Sequence, residues 1–122
     1  MKLVRQEPDV VADAWARCQA AGSRGMQAAR ADLKLLTKHY LAILEERAPG
    51  NSVEVRVPPH AAVQVIPGVR HTRGTPPAVV ELDALTWIGL ARGEIRFAEA
   101  EADGRVRASG QRADLSAYLP LA

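Results

Sequence analysis

Val53-Glu54-Val55-Arg56-Val57-Pro58-Pro59-His60-Ala61-Ala62-Val63-Gln64-Val65-Ile66-Pro67-Gly68 is the stretch on which the fold turns. Apolar and charged residues alternate from Val53 to Val57, the period of two that marks a strand with one buried face. Pro58-Pro59 stops that strand, because proline has no N–H to give to a central ladder. Alternation resumes between His60 and Ile66, with Val63 and Val65 on one face and Gln64 on the other. Pro67-Gly68 turns the chain. Pro67 to Pro77 reads as a loop, since it holds Gly68, Gly74, Pro76 and Pro77. Its eleven residues exceed the usual hairpin connection, and long loops on a rigid sheet often carry function. Ala78 to Leu82 reads as a third strand.

Upstream, the period is helical. Pro8 suits a first turn, and Asp9 and Asp13 complement the positive end of the helix they open. Val11, Trp15 and Cys18 follow at helical spacing. Gly22-Ser23-Arg24-Gly25 interrupts the pattern, and a longer helix is predicted from about Met26 to Arg47. Its apolar stripe is Leu33, Leu36, Tyr40, Ile43 and Leu44. A short connection between two such helices favours antiparallel packing.

Downstream, Asp83 is a helix cap and Gly93 a left-handed stop, which predicts a helix ending near Arg92. Glu94 to Phe97 is ambiguous and fits a brief strand. Phe97 to Asp103 fits one or two helical turns before Gly104. Val106 and Ala108 alternate with Arg105, Arg107 and Ser109 in a further strand. Leu115, Tyr118 and Leu119 form the face of a last short helix that Pro120 ends. The expected fold is one α+β domain over residues 1–122. A helix pair (1–50) precedes a mostly antiparallel sheet of four or five strands (51–122) with helices on one face.

Composition narrows the function classes. Hydrophobic residues are 48% of the 122 and charged residues 25%, values of a globular protein. Sixteen basic and fourteen acidic side chains leave +2, with eight bases and six acids through Gly50 and eight of each beyond it. No single-sign block suggests a nucleic-acid partner. No apolar run approaches the ~18 residues of a membrane span. The charged N-terminus does not resemble a secretion signal, so a cytoplasmic location is expected. The lone Cys18 permits no intrachain disulfide.

A search for chemistry returns little. His39, His60 and His71 are far apart, and no metal-ligand spacing exists. His39 reads as a solvated or cap-adjacent side chain. Cys18 lies on an apolar face, where a free thiol packs as a small hydrophobe. Glu99, Glu101 and Asp103 read as a solvated face, and no close carboxylate pair offers general acid–base chemistry. The one concentrated polar cluster is Arg70-His71-Thr72-Arg73-Gly74-Thr75. Its guanidinium groups, imidazole and hydroxyls suit a carboxylate or phosphate, and they equally suit an ordinary solvated loop.

The run Gly68-Val69-Arg70-His71-Thr72-Arg73-Gly74-Thr75-Pro76-Pro77, followed by Val79-Val80-Glu81-Leu82-Asp83 and Leu85-Thr86-Trp87, resembles the actinobacterial orthologues of the sterol carrier protein family. The ending Gly104-Arg105-Val106-Arg107-Ala108-Ser109-Gly110, then Arg112-Ala113-Asp114-Leu115-Ser116 and Leu119-Pro120, is similar to the same family. The resemblance is specific from about Val53 onward. It implies a sheet of about five strands with helices over one face and an apolar cavity between them. It also implies lipid binding or lipid transfer, with sterols, acyl chains or acyl-CoA as ligands and no catalytic group or cofactor.

On that resemblance Trp87, Ile88, Leu90, Phe97, Leu115, Tyr118 and Leu119 are expected to line the cavity. Arg70, His71, Arg73 and Thr75 are expected to hold a polar head. The expected partner is a small apolar ligand, with transient membrane contact and a monomer or weak homodimer. The alternative is an accessory interaction or oligomerisation module without a lipid ligand, offering its sheet edge or helix pair. Its motive is the long Leu33–Leu44 stripe.

Overall fold

The computed structural model describes residues 3–68, 78–110 and 113–122. Two helices come first, α1 (Pro8–Ser23) and α2 (Arg30–Arg47). Strands β1 (Val53–Val57), β2 (Ala61–Val65) and β3 (Ala78–Leu82) follow, then α3 (Ala84–Ala91), α4 (Phe97–Ala102) and β4 (Val106–Ser109). A 3-10 turn at Ser116–Tyr118 closes the order.

The strands lie in the order β2-β1-β3-β4. The outer pairings are antiparallel, with Val53 opposite Val65 and Leu82 opposite Val106, as a mostly antiparallel sheet predicts. The central pairing is parallel, with Val53 opposite Ala78. Because β2 ends and β3 begins at the Val53 end of β1, the connection between them bridges only two strand spacings, about 10 Å.

One face of the sheet is buried. Val53, Val55 and Val57 lie with Val63, Val65, Val80, Leu82 and Val106 under the helices. The other face carries charge pairs, Arg56 with Glu54 and Arg107 with Glu81 (2.7 Å). Helix α2 fills the centre of the helical layer. Leu36, Tyr40, Leu41, Ile43 and Leu44 are buried, and the Trp87 indole N–H donates to the Thr37 carbonyl at 3.2 Å. The Asp83 carboxylate accepts from the Thr86 N–H, the cap that its position predicts.

Three local readings change. Helix α2 starts at Arg30, four residues after Met26. The Met26 N–H bonds the Ala21 carbonyl (2.8 Å) and the Gly25 N–H bonds that of Gly22 (3.0 Å). Gly25 has φ +69°, so these residues form a Schellman close to α1 and are taken from the next helix. Glu94 and Ile95 form no strand; both N–H groups bond the Gly89 carbonyl and finish α3. The last element is a 3-10 turn, because the Asp114 carboxylate accepts from the Ser116 N–H (2.8 Å) and hydroxyl (2.6 Å).

Ile66, just after β2, has φ +71°, a conformation that costs a side-chain-bearing residue roughly 1–2 kcal/mol. Neighbouring hydrogen bonds hold it there. Its N–H donates to the Ala48 carbonyl (2.6 Å), and its carbonyl accepts from the Ser52 N–H (3.2 Å) and hydroxyl (2.7 Å).

Candidate functional site

The residues expected to line a cavity divide into two groups. Trp87, Ile88 and Leu115 are fully buried within the core. Leu90, Phe97 and Leu119 meet on the wall of a cleft of about 470 Å3 between the end of α3, α4 and the C-terminal segment. Tyr118 is half-buried and packs against the core cluster. Arg70, His71, Arg73 and Thr75 lie outside the described residues.

A larger cleft, of about 740 Å3, opens between α1 and α2. Helix α1 supplies Val11 and Trp15, four residues apart and therefore on one face. Helix α2 supplies Tyr40, Ile43 and Arg47, spaced three and four residues along a single stripe. Leu121 closes one wall, its N–H bonded to the Ala91 carbonyl at 2.7 Å. Arg5, Gln6, Glu7, His39 and Arg92 add polar groups.

Arg92 leaves the end of α3 and bridges the helices. Its guanidinium lies 4.5 Å from the centre of the Trp15 ring, donates to the Tyr40 hydroxyl at 3.1 Å, and pairs with Glu94 at 3.3 Å. The cation–π contact and the hydroxyl fix it as part of the wall. Arg5 pairs with Glu46 at 3.2 Å.

His39, expected to be a solvated or cap-adjacent side chain, is only 7% exposed. The Gln6 N–H donates to its Nδ1 at 2.8 Å, and its ring meets that of Tyr40 edge-on. Burial pushes its pKa below the ordinary 6.5, Arg5 adds to the effect, and Glu46 opposes it. The imidazole is therefore neutral at pH 7, which keeps Nδ1 an acceptor for the N-terminal segment.

Helix α1 is joined to α2 by a thin seam. Only Val11, Ala14 and Cys18 of its residues are buried. The Arg17 guanidinium grips the buried Asp32 carboxylate with Nε at 3.1 Å from both oxygens and a terminal nitrogen at 2.9 Å. Desolvation raises the Cys18 thiol pKa, with Asp32 adding to the rise and Arg17 opposing it. The thiol is a packing group, not an activated nucleophile. Among the described residues no three His, Cys, Asp or Glu side chains gather to hold a metal ion, and no helix is long and apolar enough to cross a membrane.

The arrangement can seat an apolar group beside a charged one. Apolar side chains from three segments face one space, and cations stand at its edge. Sequence reasoning missed this cleft because its walls come from residues 5–19, 39–47, Arg92 and the last two residues. One signal was available, the stripe Tyr40–Ile43 ending on Arg47.

A family profile described as "Bacterial SCP ortholog" matches residues 29–121, from just before α2 to the C-terminal segment. Helix α1 lies outside the matched span. No curated protein matches the chain.

Proposed function

The chain belongs to the bacterial SCP ortholog family, and from that membership we propose that it binds and carries an apolar ligand without transforming it. The ligand class is a lipid, a fatty acyl or acyl-CoA group, or a sterol-like molecule. The carrying observation is the cleft between α1 and α2, with Val11, Trp15, Ile43 and Leu121 on its walls. Its volume of about 740 Å3 falls in the range of small-molecule sites, about 300–1,000 Å3. Each methylene taken out of water there contributes ~0.8 kcal/mol before association costs.

The reading as an interaction module rests on the Leu33–Leu44 stripe. Leu36 and Leu44 are fully buried within the chain, and Tyr40 and Ile43 show only their edges to the cleft, so little of that stripe is open to a protein partner. Leu33 is half-buried against the same core.

Trp15 on the cleft wall and Trp87 in the core are the two tryptophans, which makes fluorescence a direct test. Titration with a long-chain alcohol or acid is expected to give a saturable change that Trp15→Phe removes, with the ligand recovered unaltered. No saturable change, together with no lipid in native mass spectra of freshly purified protein, overturns the reading.

A further inference from the structure

We propose that the cleft between α1 and α2 selects a single-chain amphiphile with an anionic head, and that Arg47 is the residue that receives the head. The inference rests on the binding reading above and adds the chemistry of the ligand's polar end.

Three arginines line the cleft, and two are engaged. Arg5 is paired with Glu46. Arg92 is held by the Trp15 ring, the Tyr40 hydroxyl and Glu94, and taking a ligand would break contacts that build the wall. Arg47 is exposed in the last turn of α2, and its guanidinium makes no hydrogen bond or ion pair with the described residues. A cation in a last turn complements the helix dipole. That role leaves its guanidinium fork open, and the fork suits a carboxylate, sulfate or phosphate.

Placement supplies the rest. Tyr40, Ile43 and Arg47 follow one another along α2 on the cleft wall, so a chain lying along that wall beside Trp15 can present its polar end to Arg47. A neutral ligand of the same length gains the apolar contact and nothing from the guanidinium. Glu7 is the one acidic side chain of the lining, and no ion pair joins it to Arg47. It therefore acts on the head with the opposite sign.

The test compares dodecanoate with dodecan-1-ol below their aggregation concentrations, by calorimetry and Trp15 fluorescence. Dodecanoate is expected to bind about two- to fivefold more tightly, the scale of a partly exposed ion pair. Arg47→Gln is expected to erase that difference, Glu7→Gln to widen it, and neither to change the alcohol's affinity. Added salt should weaken only the dodecanoate. Opposite effects of two surface variants on one ligand distinguish head recognition from damage to the fold.

If acid and alcohol bind equally and Arg47→Gln changes neither, the head assignment is wrong and the binding reading stands. The assignment also fails if Arg70→Gln or Arg73→Gln erases the preference while Arg47→Gln does not. If neither ligand binds saturably, the binding reading falls first.

Discussion

Helices α1 and α3 show two levels of packing in one small protein. Helix α3 has eight residues, and all but Leu85 are buried. Helix α1 is twice as long and buries only Val11, Ala14 and Cys18. Helix α3 belongs to the family-matched span and plugs the core with Trp87, whereas α1 lies outside that span and leans on α2 through a narrow stripe and the Arg17–Asp32 pair. A dense interior leaves no room for a guest. The larger cleft opens where the second kind of packing begins, between α1 and side chains of the matched span.

The comparison predicts unequal costs for equal chemistry. Val55→Ala removes two buried carbons from the fully enclosed sheet face and should lose about 2–3 kcal/mol, the transfer contribution plus a cavity. Val11→Ala makes the same deletion beside an open cleft and should lose about 1 kcal/mol. Urea unfolding of both variants checks the difference. Equal losses would mean that α1 is packed as firmly as the sheet.

A smaller effect comes from inside α2. The Thr37 hydroxyl is fully buried and has no hydrogen-bond partner among the described residues. Thr37→Val replaces it with a methyl of the same shape and should raise stability by about 1 kcal/mol. A loss on unfolding measurements would show that the hydroxyl has a partner in solution.

The smallest effect is set by pH. The unfolded His39 has a pKa of about 6.5, and burial, with Arg5, lowers it in the folded chain against the pull of Glu46. Below about pH 6.5 the unfolded chain takes up the proton before the folded one does. Stability should therefore fall as pH drops, until the folded imidazole also titrates. Protonation turns the Nδ1 that accepts from Gln6 into a donor, so the N-terminal segment should show the change first in hydrogen exchange. His60 is shifted in the same direction, by burial and by Arg30, Lys34 and Lys38. His39→Gln should then flatten only part of the slope, and an unchanged slope would remove His39 from the account.

Much of the fold is legible in local pattern. The alternation of Val53, Val55 and Val57 specifies both the strand and its buried face, and Asp83 and Gly93 mark the bounds of α3. What local pattern misses is competition between neighbours. Met26 is a good helix former, yet the Gly25 turn recruits its N–H to finish α1. The parallel β1–β3 pairing depends on where a long connection returns, and nothing in either strand encodes that direction.

The candidate site is less legible for a related reason. His39, Arg47 and Arg92 each look like surface polar residues until Trp15 and Ile43 are brought beside them. The apolar cluster foreseen at the C-terminal end holds together only in part, through Leu90, Phe97 and Leu119. Trp87, Ile88 and Leu115 are spent on the core instead.

The parallel ladder between β1 and β3 has one more consequence. Among the described residues it is the only strand pairing that stitches residues 3–68 to the later ones within this sheet, with each half completing its own antiparallel partner on the outer side. If the backbone were cut between Gly68 and Ala78, each piece would keep one inner strand, and this ladder is the sheet contact through which the two would have to rejoin.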